Sequence, residues 1–289
     1  YKVRTLQCST IQKGLHIVTY HEIVDDADQA RLSSSGVPSI FTSQKNFFSH
    51  LEFYKNNFRC VTLSTGLTQL RENGHFEEPV IAICFDDGLR SVLDVIDKLA
   101  AAELRPALFL SAKVLNNRTV LNVHKELFSQ KSLLDLQKCR QISNSAKKRE
   151  KAKSPREPTG DWDKYYLRTA DIKMLIETNQ IDGVGGHTRD HISLADLSED
   201  AQREQIRGDF EELGKAFGLN LKYFSFPFGK LDRMSWRSEF LAGGLGVPVF
   251  QCNGGINKAW PRAGDFLRIG VGNESETKLT ELLKLQWTR

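Results

Sequence analysis

The sequence predicts an α/β fold whose strands run parallel and close into a (β/α) barrel. Three observations predict it. The chain has 289 residues, 40% hydrophobic and 26% charged, which suits one large domain with its own core. Apolar, β-branched runs alternate with amphipathic helical runs in the order β-α-β-α-β, and that order calls for parallel strands joined by crossover helices. Finally, four polar clusters each stand directly after a strand. His21 follows Leu15–Tyr20, Asp86 and Asp87 follow Val80–Phe85, His187 and His191 follow Ile181–Val184, and Pro227-Phe228-Gly229 follows Lys222–Phe226. In a parallel barrel all C-terminal strand ends meet on one face, where chemistry collects; chance would scatter such clusters over both ends.

Taken in order, residues 1–14 read as a lead-in and Leu15–Tyr20 as the first strand. Asp25–Ser39 is polar and contains Ser, Gly and Pro, so it reads as a long loop. Thr42 and Ser43 offer N-caps for a helix to about Asn56, with Phe47, Leu51 and Tyr54 on its core face. Phe58–Leu63 is a short strand, and Thr65–Glu72 is a helix stopped by Asn73-Gly74. Val80–Phe85 is the central strand. Leu89–Glu103 follows as a helix with Leu93, Ile96 and Leu99 at core spacing, then Pro106–Leu110 as a strand.

Residues 113–168 interrupt the rhythm and read as an insertion in a single 1–289 domain. It holds a helical piece from about Asn122 to Leu136 and a basic, proline-containing run, Lys147–Pro158, expected to be a mobile surface segment. Order returns with a Thr169–Thr178 helix and a Gln180–Val184 strand. A long helix capped by Ser198 and stopped by Gly218 follows, then the Lys222–Phe226 strand and a helix over about Arg233–Leu241. Strands at Val247–Cys252 and Phe266–Val271 and a Glu274–Leu285 helix complete the chain.

Composition excludes several classes of function. The net charge of +4 is modest, and no basic, aromatic-rich patch speaks for nucleic acid. No apolar run approaches a membrane span. The five cysteines (Cys8, Cys60, Cys84, Cys139, Cys252) are odd in number, widely spread and without a CxxC pair. That argues against a disulfide framework and a thiolate zinc site, and for a reducing, cytoplasmic compartment, with the envelope open if a leader has been trimmed. Cys84, inside the central strand, reads as a small buried hydrophobe. Nothing specifies an oligomeric state.

Two adjacent carboxylates at a strand end repel each other unless they are solvated or a cation neutralises one of them. Asp86-Asp87-Gly88 also suits an ordinary turn after a strand. The His187-x3-His191 spacing is a metal-ligand spacing, and Gly183-Val-Gly-Gly186 before it argues for a loop or first helical turn. With one carboxylate the pair makes a two-histidine, one-carboxylate set, which leaves a coordination position open for water. Imidazole and carboxylate suit one divalent ion, zinc first, with cobalt, nickel, manganese or iron as alternatives.

These stretches carry a resemblance. Tyr20-His21, Cys84-Phe-Asp-Asp-Gly88, Gly186-His187-Thr-Arg-Asp-His191 and Phe224-Ser-Phe-Pro-Phe-Gly229, in this order between about His16 and Val271, resemble the polysaccharide deacetylase family. That family includes chitin, peptidoglycan and poly-N-acetylglucosamine deacetylases, and its NodB-homology domain is an irregular barrel, often of the (β/α)7 type. The resemblance implies Asp86 as general base and Asp87, His187 and His191 as metal ligands. The family's late Leu-x-His acid is absent, because no histidine follows His191. A permuted branch carries the equivalent histidine in an N-terminal Tyr-His motif, which makes His21 the candidate acid; the alternative is a satisfied strand-end histidine. Ser225 stands where many members have an arginine that orients the base, and Gly186 where serine is common. Asp182 and Asp190 read as extra carboxylates near the histidines.

The implied chemistry is metal-assisted hydrolysis of an N-acetyl or N-formyl group on an amino sugar, with an oxyanion held by a backbone N–H near Phe228. The expected substrate is an N-acetylated glycan or a lipid- or nucleotide-linked sugar. Trp162, Trp236 and Trp260 are each either sugar-stacking or core residues. Two rivals remain: an inactive glycan-binding relative of the same fold, and a hydrolase of a small non-sugar amide.

Overall fold

A computed structural model describes residues 10–34, 40–116, 120–125, 127–131, 164–261 and 265–284. The expected 147–158 run, Trp162, Cys8, Cys139 and the end of the 122–136 helical piece lie outside the described residues.

The strands are β1 (Gly14–Tyr20), β2 (Glu22–Val24), β3 (Phe41–Ser43), β4 (Arg59–Cys60), β5 (Pro79–Phe85), β6 (Ala107–Leu110), β7 (Gly183–Gly186), β8 (Tyr223–Ser225), β9 (Val249–Gln251), β10 (Phe266–Leu267) and β11 (Ile269–Gly270). The main sheet runs β10-β9-β8-β7-β6-β5-β1-β11, with β4 also on β5, and its ladders are parallel. β10 pairs with β9, while β11 pairs with β1 at the other end of the sheet. Only Arg268 separates β10 from β11, so this single stretch brings the two sheet edges together at one seam. Counting β10–β11 as one stave gives the expected irregular seven-stave, nearly closed barrel. β2 and β3 form a small separate sheet beside its mouth.

Side-chain alternation decides what points inward. Leu15 and Ile17, Val80, Ala82 and Cys84, Phe109, Tyr223, Phe250 and Phe266 fill the barrel as one cluster. Each large one contributes roughly 1.5–3 kcal/mol relative to exposure. Cys84 is among them, and burial pushes its thiol up to about 12. The opposite faces (Val18 and Tyr20, Ile81, Ile83 and Phe85, Leu108 and Leu110) pack on the surrounding helices. Continued by one step, the inward parity of β1, β5 and β7 passes through His21, Asp86 and His187. That is how three strands aim chemistry at one point.

Several helices form where their caps predict. Ser43 accepts from Asn46 N–H at the start of Gln44–Asn57, Thr62 from Thr65 N–H at Leu63–Asn73, and Ser198 from Ala201 N–H. Gly74 and Gly218 end helices in the left-handed conformation.

Two expectations are corrected. The 25–39 loop contains a helix, Asp26–Ser34, because Asp25 accepts from Asp28 N–H at 2.7 Å and so caps it. The 89–103 helix is split into a 3₁₀ turn, Arg90–Asp94, and an α-helix, Ile96–Ala101. In the first part, Arg90 N–H is drawn to Tyr165 O at 2.8 Å and Ser91 Oγ to Glu22 at 3.0 Å. Among the described residues no helix is long and apolar enough to cross a membrane.

Candidate active site

At the C-terminal mouth Asp86 and Asp87 are both buried, and their carboxylates have different main partners, with His187 Nε2 near both, 3.8 Å from Asp86 Oδ2 and 3.5 Å from Asp87 Oδ1. Asp86 N–H donates to Tyr20 O at 2.9 Å, so the β1–β5 ladder extends one residue beyond both strands. Its carboxylate takes a two-pronged grip from Arg268: Nη1 to Oδ1 at 2.7 Å and Nη2 to Oδ2 at 2.8 Å. Arg268 is fully buried, donates also to Ser225 Oγ and to Thr19 Oγ1, and lies over the Phe109 ring. Burial opposes ionisation of Asp86, but the Arg268 guanidinium and His187 outweigh it and hold the carboxyl below the ordinary carboxylate range. The residue that holds Asp86 therefore comes from the barrel seam, and Ser225 leaves room for it and accepts its hydrogen bond. A lone arginine inside the apolar stretch Phe266–Val271 was the sequence signal for it.

Asp87 turns the other way, with φ at +70°. Its Oδ1 faces His191 Nε2 at 3.1 Å and His187 Nε2 at 3.5 Å. This oxygen is buried and has no well-formed hydrogen bond. Ligand atoms of Asp87, His187 and His191 all lie within 4.8 Å of one another. His187 Nδ1 is 2.8 Å from Ser225 O; a carbonyl only accepts, so Nδ1 carries the proton and Nε2 presents a lone pair to the cluster. Burial pushes the His187 imidazole down to about 4, which keeps it neutral near pH 7. Burial acts the same way on His191, but Asp87 beside it outweighs this and raises it. Against burial, His191 and the bond from His124 hold Asp87 well below the ordinary carboxylate range. An orphaned, buried carboxylate oxygen facing two imidazole nitrogens suits a divalent cation, so the residues present fit one.

The loop carrying the histidines is held from behind. Asp209, fully buried, accepts from Ala112 N–H at 2.7 Å and from His187 N–H at 3.0 Å. It stands just after a π-helical turn, Glu204–Gly208, which breaks the long helix. A Cβ at Gly186 would meet Asp209 Oδ2 at 2.9 Å, so the glycine here makes room for this carboxylate. Of the six non-glycine residues with positive φ among the described residues, four (Asp87, Thr188, His191, Phe228) lie in the clusters at this mouth.

The remaining expected residues are placed as follows. His21 is half-buried beside Asp86, close enough for its charge to act on that carboxylate. Pro227 and Gly229 are buried, whereas Phe228 is 39% exposed and meets the His191 ring edge-on at 4.9 Å. Asp182 is not near the histidines. It precedes β7 at the opposite end of the barrel, where it accepts from Ser64 N–H and Tyr223 O–H, both at 2.8 Å. Asp190 pairs with Lys113 and Gln205. Trp236 is 72% exposed on a helix start, and Trp260 packs edge-on against Phe266. Sequence reasoning missed His124, which lies in the 113–168 stretch and whose Nε2 is 3.0 Å from Asp87 Oδ2.

Fold and site together define a parallel (β/α) barrel with a divided carboxylate pair and an Asp-His-His cluster at its mouth. The chain belongs to the polysaccharide deacetylase family, whose sequence profile matches residues 73–243. That membership makes it a carbohydrate deacetylase, a hydrolase of acetylated carbohydrate, in a family that generally uses a divalent metal. Among solved structures it is similar to the deacetylase PplD of Streptococcus pyogenes, solved with acetate, at 16% identity and a TM-score of 0.64, covering 93% of this chain and 98% of that one. IcaB from Ammonifex degensii follows at 17% identity and 0.64, covering 94% and 98%. A de-N-acetylase from Aggregatibacter actinomycetemcomitans gives 14% and 0.63, covering 93% and 99%. At these identities the likeness speaks for the fold. No curated protein sequence matches.

Proposed function

We propose that this protein is a divalent-metal-dependent N-deacetylase that removes the acetyl group from an amino sugar in a glycan or glycoconjugate. The observation that carries this reading is the division of labour between neighbouring carboxylates: Asp86 is held by Arg268, while Asp87 faces His187 and His191. A pure binding protein has no need of a base beside a metal cluster. Asp87, His187 and His191 would hold the ion, zinc first by donor type. Such an ion supplies Lewis acidity at the acyl carbonyl and lowers the pKa of an attacking water.

The chain's own residues supply the rest. Asp86 takes the proton from the attacking water. Arg268 keeps that carboxylate ionised and in one orientation without blocking its role as an acceptor. His21 donates a proton to the departing amine. The Phe228 N–H, on a backbone turned by positive φ, serves the developing oxyanion. The exposed Phe228 ring offers an apolar face to a sugar beside His191.

The test is elemental analysis of protein purified without chelator, wild type beside His187→Ala, followed by acetate release from N-acetylated glycans. Near-stoichiometric metal that is lost in the variant, with metal-dependent acetate release, is expected. No metal in either protein after zinc or cobalt soaking overturns the mechanism.

A further inference from the structure

We propose that His124 and Tyr166 form a positioning pair that determines which oxygen of Asp87 faces the metal cluster, and so sets its affinity for the ion. The inference rests on the metal-site reading above. Both residues belong to the 113–168 stretch, outside the barrel's repeating pattern. His124 is fully buried and Tyr166 nearly so. His124 Nε2 is 3.0 Å from Asp87 Oδ2, and Nδ1 is 2.7 Å from the Tyr166 hydroxyl. Tyr166 Oη in turn accepts from Leu121 N–H at 3.1 Å.

Only one proton arrangement satisfies this chain with a neutral imidazole. The Asp87 carboxylate accepts, so Nε2 must carry the proton. Nδ1 then accepts, and the Tyr166 hydroxyl must donate to it. That leaves the hydroxyl oxygen free to take Leu121 N–H. Each donor from the backbone to Asp87 has one acceptor; Asp87 fixes the tautomer of His124, and the tyrosine hydroxyl completes it by donating to Nδ1.

The consequence falls on Asp87. Its Oδ2 is occupied by His124, and its Oδ1 alone remains for the cluster, 3.1 Å from His191 Nε2. The turn behind Asp87 is gripped by the same segment. Leu167 N–H donates to Gly88 O at 2.9 Å, and Arg90 N–H to Tyr165 O at 2.8 Å. Phe128 stacks on Tyr165 at 4.4 Å and packs beside His124 at 5.4 Å, so the ring has little freedom to turn away. Outer partners that orient a ligand carboxylate are typically worth 10–100-fold in metal affinity.

The experiment measures zinc and cobalt affinity of the full chain by chelator competition, together with the cobalt absorption spectrum. Variants are His124→Phe, His124→Gln and Tyr166→Phe, each checked for folding by circular dichroism. His124→Phe keeps the packing and removes the donor; a roughly 10–100-fold loss of affinity and an altered cobalt spectrum are expected. His124→Gln, whose amide places an N–H near the same point, should recover most of the affinity. Tyr166→Phe should lose affinity by an intermediate factor, and it carries the test if His124→Phe does not fold. Wild-type affinity in both His124→Phe and Tyr166→Phe overturns the proposal, as does a glutamine variant as weak as phenylalanine. Failure of the wild type itself to bind either ion overturns the metal-site reading instead.

Discussion

Arg268 reaches across 182 residues of sequence to hold both oxygens of Asp86, at 2.7 and 2.8 Å, from inside the barrel. It does so because the one residue between β10 and β11 sits where the two edges of the sheet meet. The same residue thus joins barrel closure to the orientation of the candidate base.

Replacing Arg268 should show both roles. Arg268→Met leaves Asp86 buried without its cation, a change that costs about 3–5 kcal/mol of stability. Arg268→Lys keeps a charge but loses the two-pronged geometry. We expect kcat to fall by roughly 10²-fold or more for the lysine variant, with metal content retained. Without the guanidinium the Asp86 carboxyl rises, so the acid limb of the kcat/KM profile should move to higher pH. A thermal melt, a metal assay and a pH–rate profile check the three parts.

His21 and Asp86 should separate from the metal ligands. Asp86→Asn should abolish turnover and His21→Ala reduce it by roughly 10²–10⁴-fold, both with metal still bound. His21→Ala should lose far less rate on an acetyl ester with a good leaving group, which needs no protonation. An equal loss on both substrates would remove His21 from the acid role.

His16 makes stability depend on pH. It lies on β1, fully buried, bonded to Gln12 O at 2.9 Å and edge-on to Phe58, which follows the Gln44–Asn57 helix. Burial lowers its imidazole from 6.5 to about 4. Because the folded value lies below the unfolded one, the unfolded chain takes up the proton first. Stability present above pH 6.5 is therefore lost as pH falls toward 4, by up to about 3 kcal/mol. His16→Leu should flatten that part of the stability curve in denaturant titrations at pH 7, 6, 5 and 4.

Gly229 should not tolerate a side chain. Its φ is +59°, and a Cβ there would meet Cys252 N at 2.1 Å. Gly229→Ala should lower the melting temperature by many degrees, since the left-handed conformation alone costs about 1–2 kcal/mol and the clash adds to it. Gly74→Ala, also left-handed but with open space around it, should cost only that conformational part.

Much of the molecule was legible in the chain. The order of apolar runs and helix caps specified parallel strands, and the position of each polar cluster directly after a strand specified the barrel mouth. These are local signals: alternation, spacing and capping act within a few residues. The family motifs placed Asp86 and His187 together for the same reason, since each lies one step beyond a strand whose parity is already set; Asp87 and His191 follow them in the turns at the same strand ends.

The partners of Arg268, Asp209 and His124 were not legible, although each of the three holds one of those motif residues at 2.7–3.0 Å and Arg268 stands out as a lone arginine in an apolar stretch. Arg268 acts from the closing seam, Asp209 from behind a π turn, and His124 from a stretch outside the repeat. Their partners lie 182, 22 and 37 residues away. Sequence by itself determined which residues are the candidates for the chemistry and on which face of the barrel they emerge. Only the tertiary structure decided what holds each one in place, because a buried charge takes whatever complementary group the packing brings to it, and that neighbour is set by the closure of the whole sheet.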